Sequence, residues 1–194
     1  MKKIGIYIFD DVEVLDFAGP YEVFSVAFAQ PDCQEEKLFD VTTISESGEM
    51  VSASNGLRVM PDTSLEDAPE CDVIIIPGGK GARENEAYNE KLLAWIRARQ
   101  VSTKVIASVC TGALVLANAG LLDGKKATTH WGSYERLAAF SSVEVQRDVK
   151  FVDEGSVITS GGISAGINMS FHLIEKLEGK KAVSETAKWM EYDL

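Results

Sequence analysis

The residue best placed for chemistry is Cys110, which follows the apolar run Val105–Val109 and precedes Thr111-Gly112. The β-branched run is typical of a buried parallel strand, and the residues from Ala113 to Gly120 predict a helix. A thiol at such a turn faces unpaired backbone N–H groups and the positive end of the helix dipole, which favour its thiolate. We therefore predict that Cys110 is a nucleophile, the alternative being a small buried hydrophobic residue.

Asp16 is the first candidate partner of this thiol. It lies between Leu15 and Phe17, just after the first predicted strand, so burial is expected to raise the pKa of its carboxyl. A protonated carboxyl beside the Cys110 thiolate could donate a hydrogen bond and later a proton. The alternative is an N-cap for the next helix, a common use of aspartate at that position.

The chain has two histidines, of which only one is a candidate for the site. His130 follows a short predicted strand, Ala127–Thr129, and could lie near Cys110. His172 is surrounded by apolar residues of a late predicted helix, so we interpret it as structural. A Cys–His–Glu triad needs a histidine and a carboxylate after a late strand, where the chain has Ser160-Gly161-Gly162-Ile163-Ser164. This argues against a glutaminase or a conventional peptidase.

Backbone N–H groups of Gly78, Gly79 and Thr111 are candidates for binding a developing negative charge, because glycine permits close approach. The alternative is a tight strand-to-helix turn, and both interpretations are compatible. The run Gly78-Gly79-Lys80-Gly81 does not form a nucleotide site, since it has neither the P-loop lysine spacing nor the GxGxxG pattern.

The elements that must position these residues alternate between strand and helix along the chain. This pattern predicts an α/β fold, a mostly parallel central sheet with helices on both faces, formed by a single domain over residues 1–194. Strand ends would bring Asp16, Gly78-Gly79, Cys110 and Gly161-Gly162 to one cleft. The predicted strands are Lys3–Phe9, Phe39–Ser45, Val73–Pro77, Val105–Val109, Val149–Val152 and Val157–Ser160, with a hairpin at Asn55-Gly56. The predicted helices are Pro20–Gln30, Glu84–Arg99, Ala113–Gly120, Ser133–Phe140, Ala165–Leu177 and Lys181–Tyr192.

Composition narrows the possible partners. The 194 residues carry a net charge of -11, which argues against nucleic acid or an anionic membrane as the main partner. No apolar run approaches the roughly 20 residues that cross a bilayer.

Cys33, Cys71 and Cys110 are widely spaced without a CxxC pair, so a disulfide framework and a structural zinc site are not expected. Cys33 and Cys71 have no catalytic setting, and a reducing cytoplasm is the expected location.

Motifs spread over nearly the whole chain indicate a resemblance to a known family. They are Val14–Phe24, Ile76–Gly79, Ser108–Gly112, Ala119–Lys125, Ala127–Trp131 and Ser160–Gly166. Together they resemble the ThiJ/PfpI superfamily, relatives of class I glutamine amidotransferases with a flavodoxin-like sandwich. The pattern looks most like the branch that holds isonitrile hydratase and the amidase-like domains of AraC-type regulators. Many other branches place glutamate where this chain has Asp16.

The resemblance implies a specific chemistry. The Cys110 thiolate would attack the terminal carbon of an isonitrile to give a thioimidate, and hydrolysis would release an N-substituted formamide. Asp16 would orient the thiol and manage protons and water, and Thr111 would support the site through its N–H and hydroxyl. No metal or organic cofactor is implied, and the partners expected are a small-molecule substrate and a second copy in a homodimer.

The resemblance also leaves alternatives. The regulators carry a C-terminal helix-turn-helix region, and the end of this sequence at Leu194 leads us to expect a stand-alone enzyme. Deglycase or glyoxalase-like chemistry on a reactive carbonyl through Cys110 is a rival. A non-enzymatic redox or ligand sensor, in which Cys110 is oxidised to a sulfinic acid, is another.

Overall fold

The chain folds around one large sheet and two layers of helices. A computed structural model describes residues 1–30 and 33–194, with the backbone alone at residue 30 and residues 33–35. The strands are β1 (Lys2–Tyr7), β2 (Phe28–Gln30), β3 (Cys33–Lys37), β4 (Phe39–Ser45), β5 (Val51–Ser52), β6 (Arg58–Val59), β7 (Thr63–Ser64), β8 (Val73–Ile76), β9 (Val105–Ser108), β10 (Lys126–Ala127), β11 (Glu144–Val145), β12 (Phe151–Asp153) and β13 (Val157–Ser160). The helices are α1 (Val14–Ser25), α2 (Lys80–Glu84), α3 (Glu90–Arg99), α4 (Gly112–Asn118), α5 (Tyr134–Ala138), α6 (Ala165–Glu178) and α7 (Lys180–Trp189).

The central sheet has seven strands in the order β12-β13-β9-β8-β1-β4-β7. Among the described residues every neighbouring pair is parallel except β12 with β13, so the antiparallel strand β12 lies at the edge of the sheet. Helices α1, α6 and α7 pack together, and α2, α3 and α5 pack around α4. The α/β, flavodoxin-like sandwich predicted from the alternating pattern is confirmed.

The middle strands are buried along their whole length. All four residues of β8 and all four of β9 are buried, as expected for parallel strands that have helices on both faces. Truncating a buried isoleucine such as Ile75 to alanine would cost about 2–5 kcal/mol. Helix α4 ends as predicted, because Gly120 adopts a φ of 80° and Leu121 N–H donates to Leu116 O at 3.0 Å, which is a Schellman arrangement.

The first helix differs from its prediction at both ends. It begins at Val14 rather than Pro20, and Pro20 lies inside it, so Asp16 is in the first turn and not ahead of the helix. The start is set by tertiary contacts: Val12 bridges to Gly79, and Glu13 N–H donates to Gly78 O at 2.9 Å. The predicted end at Gln30 is also wrong, because the chain leaves the helix at Ser25 and enters β2, which pairs with β3.

The predicted helix Glu84–Arg99 is interrupted. The chain forms α2, then a 3₁₀ turn at Glu86–Tyr88, and then α3. Asn89 causes the second start, since its side chain accepts hydrogen bonds from Lys91 N–H and Leu92 N–H. The N-cap at Asn89 therefore starts a new helix within a segment whose apolar spacing predicted one continuous helix.

Smaller elements also differ from prediction. The hairpin exists as β5 and β6, with Asn55 and Gly56 both at positive φ, in a five-residue loop. The predicted strand Ala127–Thr129 is shorter: β10 pairs only with β11, a strand that the sequence analysis missed. Free Cys71 is buried in the core, whereas the side chain of Cys33 lies outside the described residues.

Candidate active site

Four neighbouring strands of the sheet, β1, β8, β9 and β13, end at the same edge, as the sequence analysis predicted. The segments that follow them form a cavity of about 290 Å³. Cys110, Thr111, Gly79 and His130 line this cavity, and Asp16 lies directly behind Gly78. The other lining residues are Glu13, Ser54, Lys80, Arg83, Ser133 and Ile163.

Cys110 occupies a strained backbone position between β9 and α4. Its φ is 54°, in the left-handed region, which costs a non-glycine residue about 1–2 kcal/mol. Two hydrogen bonds hold it there: Cys110 N–H donates to Gly161 O at 3.1 Å, and Thr129 Oγ1 donates to Cys110 O at 2.7 Å. A Cβ on Gly112 would lie 2.0 Å from Ile76 O, so the turn also requires glycine. Strain held by surrounding contacts is typical of a functional residue.

Asp16 is a fully buried carboxyl. Its Oδ2 accepts a hydrogen bond from Gly78 N–H at 2.9 Å, whereas Oδ1 has no hydrogen-bond partner in the described part of the chain. Burial raises the pKa of Asp16 to about 7, against the opposing effect of the Gly78 hydrogen bond, and the charge of Glu13 raises it further. The predicted upward shift is confirmed. The N-cap alternative is wrong, because Glu13 holds that position and makes no side-chain cap.

The thiol of Cys110 behaves differently from the prediction. Burial raises its pKa to about 12, and the negative charge of Asp16 acts in the same direction. The N–H groups of Thr111 and Ile163 do lower it, which is the effect expected at a helix start, but they are outweighed. The prediction of a favoured thiolate is therefore wrong for the resting site. Asp16 and Cys110 form a buried acid pair in which the carboxyl ionises first.

The glycine N–H groups are already occupied. Gly78 N–H donates to Asp16, and Gly79 N–H donates to Thr111 Oγ1 at 3.0 Å. Both were candidates for binding a developing negative charge, which stays a prediction, and in the resting site each hydrogen is used within the protein. A Cβ on Gly78 would lie 2.5 Å from Thr111 N, so this glycine lets the carboxyl and the cysteine turn approach each other. The N–H groups that face the sulfur are those of Thr111 and Ile163.

The two histidines lie in different environments, and the role of His130 as a partner of Cys110 stays a prediction. His130 lines the cavity, but its Nδ1 accepts from Gly132 N–H at 3.2 Å and no hydrogen bond joins it to Cys110. Its ring lies against Gly162, where a Cβ would meet Cδ2 at 2.2 Å. His172 is structural, with Nε2 2.7 Å from Asp153 Oδ2 and its ring stacked on Phe151.

Sequence reasoning missed several lining residues. Ile163 has a φ of 49° and directs its N–H at the sulfur, a conformation that the neighbouring Gly161-Gly162 pair could have indicated. Glu13 lies in a segment that was interpreted as a loop, and Arg83 lies just before a predicted helix. No sequence pattern therefore marked either residue as part of the site. Within residues 1–30 and 33–194 no cluster of three or more His, Cys, Asp or Glu side chains is arranged to hold a metal ion. The helices described are all too short or too polar to cross a membrane.

Comparisons with known proteins give consistent matches. Residues 2–176 match the DJ-1/PfpI family. The chain is 37% identical over 190 residues to isonitrile hydratase from Pseudomonas putida, covering 98% of this chain and 78% of that protein. It is 28% identical over 193 residues to the HTH-type transcriptional regulator GbdR from Pseudomonas aeruginosa, covering 99% of this chain. The chain spans 51% of the length of that regulator.

Solved structures show the same fold. A ThiJ/PfpI family protein from Pseudomonas syringae superposes with a TM-score of 0.88 at 27% identity, covering 100% of this chain and 76% of that one. Drosophila melanogaster DJ-1beta superposes with a TM-score of 0.85 at 25% identity, covering 100% and 99% of the two chains.

Proposed function

The chain belongs to the DJ-1/PfpI family, and we propose that it is a cysteine-dependent enzyme that adds water to an isonitrile to give an N-substituted formamide. The observation that carries the proposal is the buried pair of Asp16 and Cys110, in which the carboxyl has a pKa of about 7. A carboxyl with that pKa can accept and return a proton at neutral pH. The 37% identity to isonitrile hydratase from Pseudomonas putida supports the choice of substrate.

The first step is addition of the thiol across the isonitrile carbon. Ionised Asp16 accepts the proton of Cys110 as the sulfur attacks, which offsets the high pKa of the thiol. The same proton then passes to the isonitrile carbon, so the S–H bond breaks while C–S and C–H bonds form. The product is a thioimidate on Cys110.

The second step is hydrolysis of that thioimidate. Asp16 takes a proton from water as the oxygen attacks the carbon and delivers that proton to the nitrogen of the substrate. The tetrahedral intermediate collapses with cleavage of the C–S bond, and the N–H groups of Thr111 and Ile163 stabilise the departing sulfur. The hydroxyl proton of the intermediate passes through Asp16 to the Cys110 thiolate, which returns the site to its starting state, and the balance is one isonitrile and one water to one formamide.

The use of the glycine N–H groups favours an isonitrile over an acyl substrate. Acyl transfer develops an oxyanion in its first step and needs donors for it, whereas Gly78 and Gly79 N–H already donate to Asp16 and Thr111, and the N–H groups of Thr111 and Ile163 face the sulfur. Addition to an isonitrile needs a nucleophile and a proton at one carbon in that step. The Asp16 and Cys110 pair supplies both.

The test is turnover of p-nitrophenyl isocyanide by the purified protein, with the formamide quantified by chromatography. We expect formamide from the wild type and none above background from Cys110→Ala or Asp16→Ala, with circular dichroism to verify that the variants fold. Lactate from methylglyoxal without formamide would replace this proposal with glyoxalase-like chemistry. Selective peroxide oxidation of Cys110 without either turnover would replace it with a sensor.

The proposal includes a small-molecule substrate, a single-domain chain, a cytoplasmic location and a homodimer. The high pKa and burial of Cys110 leave little thiolate, which supports an enzyme over a peroxide sensor.

Light scattering on the purified protein tests the dimer, and a monomer mass across micromolar concentrations would remove that part of the proposal.

A further inference from the structure

Arg83 is a partly buried cation in the wall of the cavity that contains Cys110. No ion pair or hydrogen bond joins its guanidinium to another residue in the described part of the chain. The sequence has 30 acidic and 19 basic residues, so carboxylates to pair with a cation are plentiful. Arg83 lines the cavity, and its guanidinium has no carboxylate partner among the residues described there, so it is available to an anionic group of a bound molecule.

The other cation of the cavity is already paired. Lys80 Nζ lies 3.6 Å from Asp11 Oδ2 and 3.9 Å from Glu84 Oε2, on an exposed side chain. Lys80 is therefore held by the protein's own carboxylates, whereas Arg83 is available to a ligand. The two lie three positions apart on α2, which begins directly after Gly79.

The position of α2 is fixed by close backbone contacts. A Cβ on Gly79 would lie 2.4 Å from Asp11 O, and one on Gly81 would lie 2.0 Å from Asp10 O. Gly81 N–H also donates to Asp11 O at 3.2 Å. Arg83 is consequently presented from a rigid element rather than from a free loop, as a residue that orients a substrate must be.

Arg83 also borders a second cavity of about 450 Å³. Leu114, Tyr88 and Phe140 give this groove an apolar wall, and Arg136 and Glu84 add one charge of each sign. Arg83 lines both cavities, so its side chain borders the space at Cys110 and also the groove. The volumes are those of small-molecule sites.

The charged side chains of the reactive cavity determine where in it an anionic group can bind. Glu13 lines the same cavity, and its charge raises the pKa of Asp16, so the negative groups lie together at the Asp16 end. A substrate carboxylate would be repelled from that end and attracted to Arg83. The planar guanidinium matches a carboxylate through two parallel hydrogen bonds.

We propose that Arg83 is the specificity-determining residue of this site, and that it binds a carboxylate on a substrate whose reactive carbon lies at Cys110. This inference rests on the proposed function for the reaction and names its substrate class, an isonitrile that also carries a carboxylate. The organic group of that substrate occupies the groove beyond Arg83.

The first test compares isocyanoacetate with its neutral methyl ester. We expect Arg83→Gln to lower kcat/KM for the carboxylate by about 10- to 100-fold, the range for a charge-assisted hydrogen bond, and to leave the ester within about twofold. Lys80→Gln is the matched control, since it removes a positive charge from the same wall, and it should keep the wild-type preference. An equal loss on both substrates in Arg83→Gln, or the same change in Lys80→Gln, would overturn the proposal.

The second test does not depend on isonitrile turnover. Cys110 is alkylated with anionic iodoacetate or neutral iodoacetamide, and peptide mass spectrometry gives the rate at that cysteine. Arg83→Gln should lower the ratio of the iodoacetate rate to the iodoacetamide rate by about 10-fold or more. A ratio unchanged by the substitution, or no iodoacetate reaction in the wild type where iodoacetamide reacts, would refute the role of Arg83. Failure of isonitrile turnover with a changed ratio would refute only the proposed reaction.

Discussion

Replacing Asp16 by asparagine should change how the stability of the protein depends on pH. The buried carboxyl has a pKa of about 7 in the folded protein against 3.8 for an exposed aspartate. The folded state therefore binds the proton more tightly than the unfolded state, and stability falls as the pH rises from about 4 to about 7. Asparagine does not titrate, and its side-chain oxygen can still accept from Gly78 N–H.

The magnitude follows from the pKa difference. A rise of about 3 pH units at 1.36 kcal/mol each makes ionised Asp16 destabilising by about 4 kcal/mol at high pH. About 2.5 kcal/mol of this is lost between pH 5 and pH 8, because part of the titration lies below that window. The free energy of unfolding of wild type minus that of Asp16→Asn should fall by that amount across the window.

Urea unfolding followed by circular dichroism at pH 5, 6, 7 and 8 measures this difference. The pKa values of Glu86, Asp72 and Asp153 are also shifted, but these residues are present in both proteins and their contributions cancel. The Cys110 thiol titrates above the window. A wild-type minus variant difference that is flat from pH 5 to pH 8, or that rises, would refute the account of the buried carboxyl.

Substitutions at three further positions test the cysteine turn. Thr111→Val leaves Gly79 N–H without its acceptor and should lower the free energy of unfolding by about 1–3 kcal/mol. Thr111→Ser keeps the hydroxyl and should therefore keep the wild-type stability. Urea unfolding of the two variants measures the difference. Gly78→Ala places a Cβ 2.8 Å from Asp16 Oδ2 and should cost about 1–3 kcal/mol with loss of formamide turnover, measured on the same samples. Cys110→Gly should be more stable than Cys110→Ala by about 1 kcal/mol or more in thermal unfolding, because glycine accepts a φ of 54°; the opposite order would contradict the strain at this residue.

The fold could be predicted where the local sequence pattern and the tertiary contacts favour the same element. The apolar runs of β8 and β9 are long enough and β-branched enough to be identified as buried parallel strands. Cys110 could be placed because small residues follow one of those strands directly. The start of α1 could not, because Pro20 favours a helix start locally while the contacts of residues 12 and 13 with Gly78-Gly79 start the helix earlier.

The chemistry of the site depends on contacts that spacing does not reveal. The helix that follows Cys110 favours its thiolate, whereas burial and the charge of Asp16, 94 positions earlier in the chain, determine the direction in which the pKa of the thiol shifts. The donors of Gly78 and Gly79 looked free in the sequence because their acceptors, Asp16 in α1 and Thr111 at the start of α4, are distant in the chain. Arg83 gave no signal, since its significance is the absence of a partner among the described residues.

The central claim is that Asp16 and Cys110 act together to add a thiol across an isonitrile. The most direct measurement is rapid-quench mass spectrometry of the protein mixed with p-nitrophenyl isocyanide. The account predicts a transient adduct on Cys110 whose added mass equals that of the whole isonitrile, formed at least about 100-fold more slowly in Asp16→Asn. Formamide release from Cys110→Ala, or turnover by the wild type with no such adduct on Cys110, would contradict it.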